Sequence, residues 1–370
     1  MSSQHRYRAE VVGSLVRSPA LLRARRKRQR EEMGEGEFRR LEDQAVDAAI
    51  ALQERAGIDV VTDGELRREL FLGNLAEKLD GVARQPGMLF TWRGNETLGG
   101  AGVMQPSPLV VAGKLCRRES IFPAEFAYAS RLARKPLKVT LPSPLTIAFL
   151  WHPRISSAAY RDPFELFADF ARILREEIAD LSRLGCHNIQ IDAPELATLV
   201  DPSVRRFWLA HGIDPERMLA EGVDLINWVA RDCGTTRFSL HLCRGNHAGH
   251  WLASGDYRGI SRALFPRLCS YHALLLEYDG DRSGSFDPLA DIPEHMVAVL
   301  GLVSTKSERL ETAAGLVARI REASRVISAE RLALSPQCGF ASVASSSAMS
   351  EEAQFRKLQL VADVAHSALP

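Results

Sequence analysis

The stretch DPFELFADFARILREEIADLSRLGCHNIQIDAPE (162–195) contains the unit from which this chain is built. Asp162 carries the short acceptor side chain of an N-cap, Pro163 suits a first helical turn, and Gly185 supplies the stop, so residues 163–184 are predicted as an amphipathic helix. The apolar and β-branched run that follows, HNIQIDAPE (187–195), reads as a strand that ends on two carboxylates, Asp192 and Glu195.

Outward from that unit the pattern repeats. Strand-like runs occur at VVGSLV (11–16), IDVVTDGE (58–65), LKVTLPSP (137–144), RFSLHLCRG (237–245), HALLLEYDG (272–280), MVAVLGLVS (296–304) and RLALSPQCG (331–339). Further helical segments are predicted over 37–56, ending at Gly57, and over 307–324 and 350–368. Eight strand–helix units predict an α/β fold of the (β/α)8 TIM-barrel type, whereas a doubly wound sheet gives no reason for eight. The region 84–118, rich in Gly, Pro and Thr, breaks the alternation and is expected to be a hairpin excursion outside the barrel, inserted after the second strand. Nothing marks an interdomain linker, so 1–370 is expected to be one barrel domain.

Composition narrows the function. With 47 Lys+Arg against 46 Asp+Glu the net charge is +1, which gives no footprint for nucleic acid or an acidic membrane. RARRKRQR (23–30) is followed at once by Glu31, Glu32, Glu35 and Glu37 and is expected to be a solvated helix face. The start lacks a signal-peptide core, and no run approaches the roughly 18 apolar residues of a membrane span, so a cytoplasmic protein is expected. Six cysteines over this length do not form a disulfide framework. Cys116, Cys186, Cys233 and Cys269 are expected to be ordinary free thiols.

In a barrel enzyme the chemistry sits where strands end. The fifth strand ends in His241-Leu242-Cys243, the sixth in Glu277 and the eighth in Cys338. His241 and Cys243, two apart on a strand, point to the same face. One imidazole, two thiolates and a carboxylate form a donor set suited to Zn2+. Ligands that converge from three strand ends on the functional face, rather than in local pairs, indicate a catalytic metal rather than a structural one. A free thiol has a pKa of about 8.5, and zinc coordination deprotonates it. Two cysteine ligands keep the bound sulfur electron-rich, and Glu277 is the ligand to be displaced or lengthened when a substrate thiol arrives. At other strand ends, Asp63, Glu65 and Asp192 face the backbone amides of Gly13-Ser14, a pocket able to hold the ammonium and carboxylate of an amino acid. Arg67 and Arg68 behind Glu65 read equally well as functional or as an exposed helix start.

With these residues in place, the chain resembles the catalytic barrel of cobalamin-independent methionine synthase, and especially the short single-barrel members of that family. The resemblance covers nearly the whole chain and is carried by VVGSLVRS (11–18), VVTDGELRRE (60–69), IQIDAPEL (189–196), HLCRGNH (241–247), LLEYD (275–279), GLVSTK (301–306) and LSPQCGFAS (334–342). It implies that His241, Cys243, Glu277 and Cys338 bind zinc. It also implies that Gly13, Ser14, Glu65 and Asp192 contact homocysteine, with Glu277, Asp192 and Glu65 in catalytic roles. Three departures stand out. The full-length synthase's folate-holding N-terminal barrel has no counterpart in this sequence. The family's acid His after strand seven is replaced by Leu302-Val303-Ser304-Thr305, and Ala193 follows Asp192 where the family has Glu. The expected partners are therefore a small thiol acceptor and a methyl donor, a corrinoid or methylated metabolite rather than methylfolate. Three other readings fit the residues: alkyl transfer of another kind (epoxide to thiol, or corrinoid methyl to thiol), a related C–S cleavage, and a non-enzymatic barrel with structural zinc.

Overall fold

The computed structural model describes residues 7–94, 102–344 and 349–370. Its strands, in chain order, are β1 (Leu79–Ala83), β2 (Leu89–Trp92), β3 (Val103–Pro106), β4 (Val110–Arg117), β5 (Val139–Pro142), β6 (Asn188–Asp192), β7 (Arg237–Leu242), β8 (Ala273–Glu277), β9 (Val297–Val303) and β10 (Leu332–Pro336). Strands β5 to β10 form one parallel sheet in sequential order. Residues 9–10 and 60–61 occupy the two remaining places. Ala9 bridges Leu334 of β10, Glu10 bridges Val60, and Val61 bridges Leu137 just before β5, all in parallel. Backbone bonds from Glu10 N to Leu334 O (2.9 Å), Asp59 N to Ala9 O (2.9 Å) and Lys138 N to Val61 O (2.8 Å) complete the ring of eight. The TIM-barrel expectation holds.

Side chains alternate as a barrel requires. Ala273 and Leu275 pack inside with Val12, Val299 and Ala333, while Leu274 and Leu276 face the helical layer. By that alternation Glu277 returns to the inner face at the mouth. Helices Glu35–Arg55, Pro163–Arg183 and Glu351–Ala368 lie close to the predicted ranges, and Asp162 Oδ1 caps the second of these by accepting from Phe164 N at 3.0 Å. The helix expected from 307 begins instead at Ala313, with Thr312 as its cap, because Glu311 is drawn off to accept from Ser304 N and Lys357 Nζ. The basic segment lies in helix Pro19–Gln29, and Arg23, Arg26, Lys27 and Arg28 are exposed on it as expected.

Two expectations need correction. The ladder of strand one lies at 9–10, ahead of the expected 11–16, and that of strand two covers only 60–61 of the expected 58–65, because the chain leaves the ladder at the mouth. Thr62 Oγ1 donates to Gly13 O and accepts from Gly64 N, each at 3.1 Å, so side-chain bonds replace ladder bonds there. The excursion starts at Leu79 rather than 84 and consists of two antiparallel pairs, β1 with β4 and β2 with β3. Its strands form sheets separate from the barrel, as expected, but the excursion packs over the barrel mouth. Arg93, just past β2, exchanges backbone bonds with Trp251 (2.7 and 3.1 Å), and its guanidinium reaches Asp201 Oδ2 at 2.8 Å and Ser203 Oγ at 2.6 Å. The hairpin is thereby fastened to the loops that follow β6 and β7, over the mouth. Among the described residues no helix is long and apolar enough to cross a membrane.

Candidate active site at the barrel mouth

His241 sits on the inner face of β7 and Cys243 just beyond the strand, while Cys338 follows β10. All three are buried, and their ligand atoms lie within 4.8 Å of one another. His241 Nδ1 lies 2.9 Å from Asp192 Oδ1 at the end of β6, and Gln190 Nε2 donates to the same oxygen at 2.7 Å. The other ring nitrogen, Nε2, is buried without a protein hydrogen-bond partner. A buried imidazole nitrogen left bare beside two thiols is costly unless something takes its lone pair, and the donor set is the one a Zn2+ ion takes. The residues therefore fit the metal. A hydrogen bond between the two free thiols, and then His241, push Cys243 down to about 7, while the same hydrogen bond and burial push Cys338 up. His241 itself is raised, since Cys243 and Asp192 outweigh the effect of burial.

Glu277, expected as the fourth ligand, is adjacent to but outside this group of three. Its Oε1 accepts from Lys306 Nζ (3.1 Å) and Arg282 Nη2 (2.5 Å), and its Oε2 from Arg244 N (2.7 Å). Burial raises its pKa, but Lys306, Arg282 and Arg244 outweigh burial and hold it well below the usual carboxylate range. It is an ionised carboxylate bound by cations.

A cavity of about 1130 Å³, open to solvent, extends from these residues and is lined also by Gly13, Ser14, Glu65 and Asp192. All the candidate substrate contacts thus share one cavity with the imidazole and thiols. Glu65 is fully buried, with Thr140 Oγ1 donating to its Oε1 at 2.7 Å and Oε2 left without a partner. Burial pushes it up to about 7, with Arg68 pulling the other way. Its backbone is in the left-handed region, φ 54°, where Asp63 Oδ1 accepts from its N–H at 2.9 Å. A Cβ at Gly13 would collide with Glu65 Oε1, so only glycine permits this approach. Arg68 is no exposed helix start. It is buried and binds Glu125 Oε2, Thr140 O and Thr140 Oγ1 at 2.9–3.0 Å, bracing the wall behind Glu65. Arg67 pairs instead with Asp43 and lies over the Tyr128 ring.

Sequence reasoning missed the opposite wall. Phe90, Trp92, Gln105, Pro106 and Ser107, from the excursion, and His247, from the loop after β7, line the same cavity. The only sequence signal was the second His of HLCRGNH. Nothing local marked the hairpin, because its place depends on contacts more than 100 residues away.

Barrel and cavity together define the class: a (β/α)8 protein with a buried imidazole–dithiol group at the end of the barrel where catalysis occurs. The chain belongs to the cobalamin-independent methionine synthase family, whose profile, "Cobalamin-independent synthase, Catalytic domain", matches residues 8–251 and 269–366. It is 33% identical over 364 residues to the uncharacterized protein YxjH of Bacillus subtilis, covering 97% of this chain and 94% of that one. It is 29% identical to the 5-methyltetrahydropteroyltriglutamate–homocysteine methyltransferase of Herpetosiphon aurantiacus, covering 89% of this chain but 39% of that longer protein. A putative vitamin-B12 independent methionine synthase from Listeria monocytogenes superposes with a TM-score of 0.72 at 25% identity, covering 98% of both chains. The protein is accordingly a methyltransferase of the methionine-synthase type. Membership of a cobalamin-independent family runs against the corrinoid donor expected from the sequence.

Proposed function

We propose that this protein is a zinc-dependent methyltransferase that takes homocysteine or a similar small amino-acid thiol as acceptor. The observation that carries the reading is the bare, buried Nε2 of His241 facing Cys243 and Cys338 in a cavity shared with Glu65 and Asp192. His241, Cys243 and Cys338 would hold the metal, with Glu277 beside them as the exchangeable fourth ligand. Zinc, when bound, lowers the pKa of an incoming thiol so that it reacts as thiolate at neutral pH.

The protein's own residues do the rest. Asp192 holds the His241 ring in one tautomer through Nδ1. Glu65, with a free Oε2, faces the acceptor's ammonium together with Asp192, and Gly13 and Ser14 flank the acceptor's backbone end. Lys306 and Arg282 keep Glu277 ionised beside the group of three, where it would be available to a bound metal. Phe90 and Trp92 of the hairpin roof give the cavity an apolar lining.

The test is an assay of zinc-loaded protein with homocysteine and a panel of methyl donors, read by mass spectrometry. Methionine is the expected product. Stoichiometric zinc without S-methylation from any donor would overturn the reading. Activity untouched by Asp192→Asn and Glu65→Gln would redirect it to a thiol that lacks the amino-acid group.

A further inference from the structure

We propose that Tyr257 and Arg244 are positioning residues that set the reach between Cys243 and Glu277, and so decide whether Glu277 serves as the metal's fourth ligand. The inference rests on the zinc reading of the site and adds to it the clamp that holds two of its residues.

Cys243 and Glu277 stand at the ends of neighbouring strands, β7 and β8, whose ladder runs out at Leu242 opposite Leu276. Tyr257 reaches this end of the ladder from the chain between the two strands. Its hydroxyl donates to Leu242 O at 2.5 Å and accepts from Glu277 N at 3.0 Å. One oxygen therefore ties the residue before Cys243 to Glu277. Arg244 makes the matching tie from the residue after Cys243. Its N–H donates to Glu277 Oε2 at 2.7 Å, and its Nη1 donates to Glu277 O at 3.1 Å. Cys243 is thus bracketed: one chain neighbour is joined to Glu277 through the Tyr257 hydroxyl and the other directly. The amide, carbonyl and carboxylate of Glu277 are all engaged.

The two clamping side chains are fixed by each other and by the loop beyond them. Both are fully buried, and the Arg244 guanidinium lies 4.0 Å over the Tyr257 ring. Its Nε and Nη2 both donate to Gly255 O, at 3.0 and 2.7 Å. Gly255 is required there, with φ 153° and only 2.8 Å between a Cβ and Val200 O. Burying a guanidinium is costly, and a barrel that needed only to fill this space would hold an apolar side chain instead. Neither Tyr257 nor Arg244 lines the cavity, whose roof includes Trp92 packed on His247 with ring centroids 5.2 Å apart. They act through Cys243 and Glu277 rather than on a substrate.

The clamp matters because Glu277 has competing partners. Lys306 and Arg282 hold its Oε1. With its backbone fixed on both sides relative to residues 242–244, the carboxylate stays at a set distance from Cys243 and within reach of the ion that Cys243 would hold. Loosening the clamp lets Glu277 settle against the two cations and leaves the metal with three protein ligands.

The experiment loads wild type, Tyr257→Phe, Arg244→Lys and Glu277→Gln with Co2+ as a spectroscopic stand-in for zinc, and records the visible ligand-field bands. Zinc affinity is measured in parallel by competition with a chromophoric chelator, and each melting temperature is recorded. Tyr257→Phe keeps the ring beneath Arg244 and removes only the bridging hydroxyl. Its cobalt spectrum should shift toward that of Glu277→Gln, and zinc should bind about 10-fold or more weakly, the range for a lost outer-shell partner. Arg244→Lys should move both readouts the same way, and it carries the test if Tyr257→Phe does not fold. A wild-type spectrum and affinity in the folded variants, with only a lower melting temperature, would overturn the proposal and leave the pair a structural role. A Glu277→Gln spectrum identical to the wild type's would also overturn it, while the zinc reading stands. A wild type that takes up neither metal, or binds Co2+ without a thiolate charge-transfer band, would bring down the zinc reading itself.

Discussion

His241 presents one nitrogen to Asp192 at 2.9 Å and leaves the other buried and bare toward Cys243 and Cys338. The carboxylate can only accept, so Nδ1 carries the hydrogen, and in the neutral ring Nε2 keeps a lone pair that a metal would take. Gln190 Nε2 donates to the same Asp192 oxygen at 2.7 Å and steadies the pair. Asp192→Asn weakens this orientation without emptying the space. The variant should bind zinc about 10–100-fold more weakly, the cost of losing such a supporting partner. Competition with a chromophoric chelator measures this directly, and an unchanged affinity would remove Asp192 from the metal's support.

Glu65 makes acceptor binding depend on pH. Its carboxyl titrates at about 7, raised first by burial, while Arg68 pulls it back. Only the ionised form attracts an ammonium group, and that form gains population as pH rises through 7. The KM for homocysteine should therefore fall between about pH 6 and 8, and Glu65→Gln should flatten that slope while raising KM throughout. The same profile run with 2-mercaptoethanol, a thiol with no amino group, should show no such slope. A slope that persists in Glu65→Gln would place the titration on another group.

The barrel was legible because β8, β9 and β10 are largely apolar runs buried on both faces, bounded by turns. Strands one and two were over-read because their apolar starts ran on into VVGS and TDGE, where Thr62 and Gly64 spend their hydrogen bonds closing the mouth instead of extending the ladder. That His241, Cys243 and Cys338 come together was legible from the two-residue period of β7 and the end of β10. The environment of Glu277 was not. Its cations come from Lys306 and Arg282, in loops whose folding no local pattern records. The roof was hidden in the same way, since Arg93 finds Asp201 across 108 residues.

Gly13 is the tightest test of the acceptor wall. Any Cβ there meets Glu65 Oε1 and the Thr140 methyl group. The carboxylate cannot swing away freely, because Thr140 Oγ1 and the left-handed backbone of Glu65 hold it. Gly13→Ala should displace the carboxylate from the ammonium position, raising the KM for homocysteine far more than it lowers kcat. Zinc content should be unaffected, because the metal-facing residues lie on other strands. Kinetics with homocysteine and 2-mercaptoethanol check this, and an equal effect on both thiols would count against an ammonium contact.

Arg93 couples the hairpin to the barrel, and its loss separates cavity architecture from stability. Its side chain is 39% exposed, whereas Asp201 is 8% exposed and also accepts from Ser203 N and Ser254 N. An ion pair this open to solvent contributes about 1 kcal/mol or less to folding, and Asp201 keeps other partners when the guanidinium is removed. Arg93→Ala should therefore leave the barrel's melting temperature nearly unchanged. The roof should respond differently, because β2 and β3 are a two-stranded unit with little independent stability and Leu89, Val103 and Met104 exposed on it. Amide exchange over residues 89–92 and 103–106 should accelerate while β5 to β10 stay protected. With Trp92 loosened, His247 loses its packing partner, so the KM for the methyl donor should rise while zinc and homocysteine affinities hold. Exchange as slow as in the wild type would show that the backbone pairing of residue 93 with Trp251 holds the roof without the side chain.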